Sequence, residues 1–208
     1  MRKVMIVDDE PDIRLAVGKI LEKEGYDVVD AEDGADCLKK IKEEKPDLVL
    51  LDIMMPDMSG WKVLNEIQSD EDLKSISVTM FTVKPLTPET LKKKGIDGLV
   101  DYIVKPFSTE GFLASVDEIF STISKIDETK TKLSGIDEDL AERYEKLLKA
   151  ERLHQNLKTS LENILRQRKE DGSMDDIQSF EDVIISELKL IDSYRKERKE
   201  IEDKIKQH

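Results

Sequence analysis

Cysteine is nearly absent. Cys37 stands alone in 208 residues, which excludes an internal disulfide and any cysteine-built metal cluster. Within the helix-like stretch "ADCLKKIKEE" it reads as a small, partly buried residue. Aromatics are scarce as well, at 5% against 39% charged residues, so the chain cannot form one dense core throughout. That balance suits a compact unit joined to solvated helices. No window approaches 18 consecutive apolar residues, and the first 15 residues carry acidic charge instead of a long apolar run. We therefore expect no membrane span, no signal peptide and a cytoplasmic location. Excess positive charge is also missing: the formal net charge is -13. DNA and anionic membranes both need concentrated positive charge, so neither is expected as the main partner.

What is present divides the chain in two. From residue 1 to about 124, short apolar runs alternate with amphipathic stretches. "KVMIV", "YDVVDA", "DLVLLD", "SISVTMFT" and "GLVDYIV" read as five strands. Between them, helices are predicted over Pro11 to Glu24, "GADCLKKIKEE" and "GWKVLNEIQ", with "TEGFLASVDEIFSTI" as the closing helix. Strands rich in Val, Ile and Leu without alternation are buried on both faces, as in a parallel sheet flanked by helices. The pattern thus predicts a doubly wound α/β domain with a five-stranded parallel sheet.

Past residue 125 the strand signals stop, and residues 125–208 hold no proline and two glycines. An apolar stripe runs through Leu140, Tyr144, Leu147, Leu157, Leu161 and Ile164, and a second through Ile177, Phe180, Ile184, Leu188, Ile191, Tyr194, Ile201 and Ile205. The turn cluster "EDGSM" lies between them, with Gly172 as a helix terminator and Ser173 as the next cap. Arms of 137–169 and 175–207, each roughly 50 Å long as helix, predict an all-α antiparallel hairpin over 137–208. The connector at 125–136 is compatible with a helical extension of the preceding helix and with a break near Gly135. Two lone helices bury only one seam, which is marginal for a stable unit. A homodimer through the hairpin, or packing on another protein, is therefore expected.

Functional groups of a parallel α/β sheet gather at the carboxyl ends of its strands. Here the first strand ends in Asp8, Asp9 and Glu10, the third in Asp52, the fourth in Thr82, and the fifth reaches Lys105. Clustered carboxylates repel unless a cation sits among them, and hard oxygen ligands suit Mg²⁺. A lysine and a hydroxyl facing such a group suit a phosphoryl group, whose oxygens need positive charge and hydrogen-bond donors. Asp52 then reads as a nucleophile carried to the rim, and an aspartyl phosphate as the covalent product. Asp8 and Asp9 taken alone would read as caps of the helix beginning near Pro11, and Tyr102 as a plain core aromatic. Pro56 and Gly60 suit the turn that opens the third helix.

These residues in this order resemble the receiver domain of two-component response regulators. "VDDE" resembles the family's acidic pair, "LLDIMMPDMSG" its phosphoacceptor segment, "MFT" its hydroxyl position and "DYIVKPF" its lysine-proline segment. The resemblance spans residues 1–124 and implies the flavodoxin-like receiver fold. It implies that Asp52 accepts a phosphoryl group from a sensor histidine kinase. It also implies that Asp9 binds Mg²⁺ directly, Asp8 mainly through water, and Met54 through its backbone carbonyl. Lys105 would pair with the phosphoryl oxygens, Thr82 would swing to hydrogen-bond one, and Tyr102 would change its exposure in step. The Lys105–Pro106 peptide is expected to be cis. Such a chain is a phosphoacceptor signalling protein and not an enzyme beyond Mg²⁺-dependent self-phosphorylation and self-dephosphorylation.

Two departures stand out. Val83 follows Thr82 where the family usually has Ala or Gly, so its branched side chain would narrow access to the phosphate. "KPLTPETLKKKGID" has two prolines and a basic turn, which predicts a short, displaced helix there. That helix lies on the face receivers use for signalling and dimerisation, so the usual dimer geometry is not expected. In the helical half, 18 basic and 21 acidic side chains interleave, as on a solvated helix face. Nothing there fits a DNA reader, so output is expected through protein–protein contact with a downstream partner. His154, in "AERLHQNLKTSLENIL", faintly resembles the phosphoacceptor helix of histidine kinases and phosphotransfer proteins, which makes a phosphorelay component the alternative reading. Its seven-residue spacing from Leu147 and Leu161 instead puts it on the apolar stripe.

Overall fold

The computed structural model describes residues 1–84, 96, 98–133, 137–172 and 177–205. The chain forms two compact units, one reaching Glu118 and the other beginning at Ile119. The first unit is built on a five-stranded sheet: β1 (Lys3–Val7), β2 (Asp27–Ala31), β3 (Leu48–Leu51), β4 (Ser77–Thr82) and β5 (Leu99–Val104). All neighbouring strands pair in parallel, in the order β2-β1-β3-β4-β5. This is the flavodoxin-like order, and it reverses between β1 and β3. The predicted parallel sheet is therefore present, and so is its cause: every residue of β3 and β4 is buried.

Three helices follow strands in this unit: α1 (Pro11–Lys23), α2 (Gly34–Glu44) and α3 (Gly60–Ser69). Proline sits in the first turn of α1, where its missing N–H costs nothing. Asp33 caps α2 by accepting a 2.8 Å bond from the Asp36 N–H. Cys37 is fully buried rather than partly, and burial pushes its thiol up to about 12. The stretch "KPLTPETLKKKGID", for which the sequence predicts a short helix, lies almost wholly outside the described residues.

The second unit is helical. Helix α4 (Thr109–Leu133) begins in the first unit and continues unbroken into the second, so residues 125–133 of the connector are helical. Gly135 lies outside the described residues. Helices α5 (Glu138–Glu170) and α6 (Ile177–Ile205) form the two arms. Arg143 pairs with Glu197, Arg195 with Glu151, and Lys169 with Glu181. Partners that converge as sequence separation shrinks mean antiparallel helices, as expected. Gly172 ends the first arm region with φ of 72°, a left-handed angle that favours glycine; Ser173 is outside the described residues.

Two findings change the expected hairpin. First, it is not a lone pair, because α4 supplies a third helix at one end. Ile126 packs with Tyr144, Leu147, Leu148 and Ile201, and Lys130 meets Glu145 at 2.5 Å. The far end has only the two-helix seam of Leu161, Leu165, Phe180, Val183 and Ile184 among the described residues.

Second, the seam takes different residues from those the spacing suggests. Leu188 is exposed, whereas Glu187 is buried in its place. Leu165 is buried where the spacing predicts Ile164, and Ile164 packs only at the margin. The reason for the first shift is His154, buried opposite, whose Nδ1 lies 2.5 Å from Glu187 Oε2. A buried polar group needs a partner, and residue 187 provides one where residue 188 cannot.

Leu161 is fully buried in the two-helix section. Leu161→Ala should cost about 2–5 kcal/mol, against about 0.5 kcal/mol for Leu190→Ala at an exposed position. Urea unfolding followed by far-UV circular dichroism measures both.

Candidate functional site

The reversal of strand order brings Asp8 and Asp52 together at the ends of adjacent strands. Their backbones continue the ladder for one step: Asp8 N–H donates to Ala31 O at 3.2 Å and Asp52 N–H to Val7 O at 2.8 Å. Lys105 is held likewise, its N–H donating to Thr82 O at 2.8 Å. The Lys105–Pro106 peptide is cis, as expected.

The side chains converge. Lys105 Nζ donates to Asp8 Oδ2 and lies 3.6 Å from Asp52 Oδ1. All three side chains are at least nine-tenths buried. Removing three charges from water is costly unless they compensate one another, and here one ammonium serves two carboxylates. Asp8 Oδ1 also accepts the Glu10 N–H at 2.9 Å, and Asp52 Oδ2 accepts the Met54 N–H at 2.8 Å. The fourth oxygen, Asp52 Oδ1, is buried and accepts no hydrogen bond. An unsatisfied buried anionic oxygen points to a ligand of opposite charge.

Asp9 differs from Asp8 in being exposed. Among the described residues no three His, Cys, Asp or Glu side chains group closely enough to hold a metal ion by themselves. The donors present are nonetheless all hard oxygens, and a magnesium ion that keeps several waters needs only one or two carboxylates. Asp8 and Asp52 fit that requirement. The capping role considered for the acidic pair is not seen: Glu10 is the N-cap of α1, and its side chain makes no cap bond.

The loop from Ile53 to Ser59 rests on Gly60. A Cβ there would lie 2.2 Å from the Asp52 carbonyl oxygen, so only glycine allows α3 to start this close to the strand end. Gly60 N–H donates to Ile53 O at 3.1 Å, and Asp57 takes φ of 60° in the turn between. Met54 and Val83 flank the site with exposed side chains.

Thr82 is fully buried, and its hydroxyl accepts the Lys84 N–H at 3.3 Å. Tyr102 is buried with its hydroxyl donating to the Lys84 carbonyl at 2.8 Å. Both residues thus hold the same peptide segment. Burial, with the charge of Asp52 adding to it, pushes the Tyr102 phenol above its ordinary value.

Sequence reasoning missed the supports. Phe81 lies under the Lys105 ammonium, 4.7 Å from ring centroid to Nζ, and meets Phe107 and Phe112 in tilted contacts with centroids 5.2 and 5.7 Å away. Such a face favours a cation. Arg14 donates to the Asp8 carbonyl at 2.7 Å while pairing with Asp30 at 2.9 Å. "KPF" hints at Phe107, but nothing linear signals Arg14.

A model of the response regulator receiver domain matches residues 4–117, more than half of the chain. Among solved structures, the chain is similar to chemotaxis protein CheY4 of Vibrio cholerae, with 30% identity and a TM-score of 0.53 over 57% of this chain and 98% of that one. It is similar to response regulator protein TrrA of Thermotoga maritima, solved in complex with Mg²⁺-BeF, with 32% identity and a TM-score of 0.51 over 57% and 99%. A CheY-like receiver domain protein of Methanospirillum hungatei gives 33% identity and a TM-score of 0.52 over 59% and 97%.

Gly60→Ala should destabilise the first unit by about 3 kcal/mol, since backbone cannot yield as a flexible side chain can; thermal or urea unfolding reads the loss. A tyrosine that keeps its proton in the fold stabilises fully below the ordinary value of about 10 and loses that contribution as pH rises through its higher folded value. Stability should therefore fall above about pH 10, and the Tyr102→Phe variant should fall less steeply when urea midpoints are compared across that range.

Proposed function

The chain belongs to the response regulator receiver domain family, and on that footing we propose that Asp52 is its phosphoacceptor, with output through protein contacts of the helical unit. Receiver domains of this family are phosphorylated by sensor histidine kinases and bind Mg²⁺ at the phosphorylation site; they are signalling domains and not an enzyme family. The observation that carries the assignment is the buried, unsatisfied Asp52 Oδ1 beside the Lys105 ammonium.

Asp52 attacks the phosphorus of a phosphohistidine donor. A new O–P bond forms as the N–P bond breaks, and the imidazole leaves with a proton. Met54 N–H holds the other carboxylate oxygen and so orients the attacking one. Lys105 stabilises charge on the phosphoryl oxygens. Asp8 and Asp52, with Asp9 and the Met54 carbonyl, would hold Mg²⁺, which when bound supplies positive charge to those same oxygens.

Lys84 supports a switch. Turning the Thr82 hydroxyl toward a phosphoryl oxygen gives up its bond to the Lys84 N–H. The carbonyl of that same residue anchors Tyr102. A change at Thr82 thereby reaches Tyr102 through one peptide segment. Helix α4, continuous from Thr109 to Leu133, carries the change toward the hairpin, which assembles as a homodimer and engages a downstream protein. DNA is not the target, since basic and acidic side chains interleave along the helices. No described helix is long and apolar enough to cross a membrane.

His154 is a poor second candidate for phosphate. Its ring is buried and Nδ1 is occupied by Glu187, whereas a phosphoacceptor histidine must reach another protein's active site. It serves the seam instead.

Acetyl phosphate with Mg²⁺ should add one acid-stable, base-labile phosphate, seen by intact-mass spectrometry and lost in Asp52→Asn. Labelling of that variant to the wild-type level would end the proposal. Val83, exposed beside the site, slows water's approach, so Val83→Ala should shorten the phosphate half-life by about threefold, on the order of 0.7 kcal/mol; an unchanged half-life removes that role.

A further inference from the structure

We propose that Arg14 is a positioning residue for the divalent-cation site: it fixes the peptide between Asp8 and Asp9, and so the direction in which Asp9 offers its carboxylate. This rests on the reading above that Asp8, Asp9 and Asp52 hold Mg²⁺. The two acidic neighbours are placed by different means. Asp8 is locked through its side chain, since Oδ2 meets Lys105 and Oδ1 accepts the Glu10 N–H at 2.9 Å. Asp9 is exposed, and no bond to its carboxylate is seen among the described residues. Its direction is left to the backbone.

That backbone is held from α1. The Asp8 carbonyl and the Asp9 N–H belong to one planar peptide, and Arg14 Nη1 donates to that carbonyl at 2.7 Å. On its other side, the Asp8 N–H donates to Ala31 O at 3.2 Å. Asp8 is thus fastened at both ends, and Asp9 leaves the peptide plane at a set angle. Arg14 is itself anchored. Its Nε donates to Asp30 Oδ2 at 2.9 Å, and the Lys40 ammonium donates to the Asp30 carbonyl at 2.9 Å. The two Arg14 bonds use the planar fork of a guanidinium, which the single ammonium of a lysine does not reproduce.

Positioning and charge act in opposite directions here. An uncompensated guanidinium near a cation site repels the ion, so charge alone gives Arg14 no useful part. Asp30 offsets that charge, which leaves the geometry as what Arg14 contributes. Removing a mere charge would tighten cation binding, whereas removing a positioning residue weakens it.

Trp61, the single tryptophan, lies in α3 of the first unit, so its fluorescence follows urea unfolding of that unit. In full-length protein, MgCl₂ should raise the wild-type midpoint above that in NaCl of equal ionic strength. Arg14→Ala should need about tenfold more Mg²⁺ for the same rise. Arg14→Lys, which keeps the charge without the fork, should also need more. So should Asp30→Asn, whose half-exposed position leaves the fold intact. Asp9→Asn should lose less of the Mg²⁺ response in the Arg14→Ala background than alone, because the two substitutions remove one shared effect. A merely structural Arg14 would lower the midpoint and leave its Mg²⁺ dependence unchanged. That result, tighter binding by Arg14→Ala, or strictly additive effects of Arg14→Ala and Asp9→Asn overturns the proposal alone. A wild-type midpoint indifferent to Mg²⁺ overturns the metal reading together with it.

Discussion

Charge compensation at the carboxyl ends of β1, β3 and β5 is the constraint on which the first unit depends. Asp8, Asp52 and Lys105 are nearly removed from solvent, where isolated charges are expensive. One ammonium reaches two carboxylates, a phenylalanine face lies under it, and two backbone N–H groups take further oxygens. The set is nearly closed, and the gap is one oxygen of Asp52. A fully satisfied cluster would leave no position for a ligand; the unsatisfied oxygen is the one acceptor of the two carboxylates without a hydrogen-bond donor. The same constraint explains why Gly60 matters: it permits α3 to start against the Asp52 carbonyl, so the loop bearing Met54 N–H can return to the carboxylate.

The helical unit answers a different problem, how to order long, highly charged helices with few aromatics. Its solution is a set of ion pairs between α5 and α6 on the wet flanks, such as Arg195 and Arg198 with Glu151, around a narrow apolar seam. Exposed pairs add little stability individually, so the seam and Ile126 of α4 carry the packing. Within that seam His154 and Glu187 form a buried polar pair flanked by Tyr194. Sliding one arm by a single residue would separate them, which makes the pair a register device comparable to a buried polar residue in a coiled coil.

Much of this was legible in the linear chain. Unalternated apolar runs such as "KVMIV" and "LVLL" pointed to a parallel sheet, because strands buried on both faces have no polar side to show. Two acidic strand ends and one lysine were expected to meet, and Asp8, Asp52 and Lys105 do, since topology sends strand ends of a parallel sheet to one rim. The long arms and their turn at Gly172 followed from helical spacing and the need for a left-handed angle.

Tertiary structure decided the rest, because periodicity states which residues can share a face and not which of two neighbours wins. Leu188 and Glu187 sit one position apart, and the choice fell to the polar residue only because His154 was opposite. Whether the connector was helical depended on Ile126 finding Tyr144 and Leu148 across the bundle, a contact between distant segments. Phe81 beneath Lys105 and Arg14 on the Asp8 carbonyl are likewise products of folding. A chain by itself specifies its local geometry and its set of charges; only packing determines which charges meet.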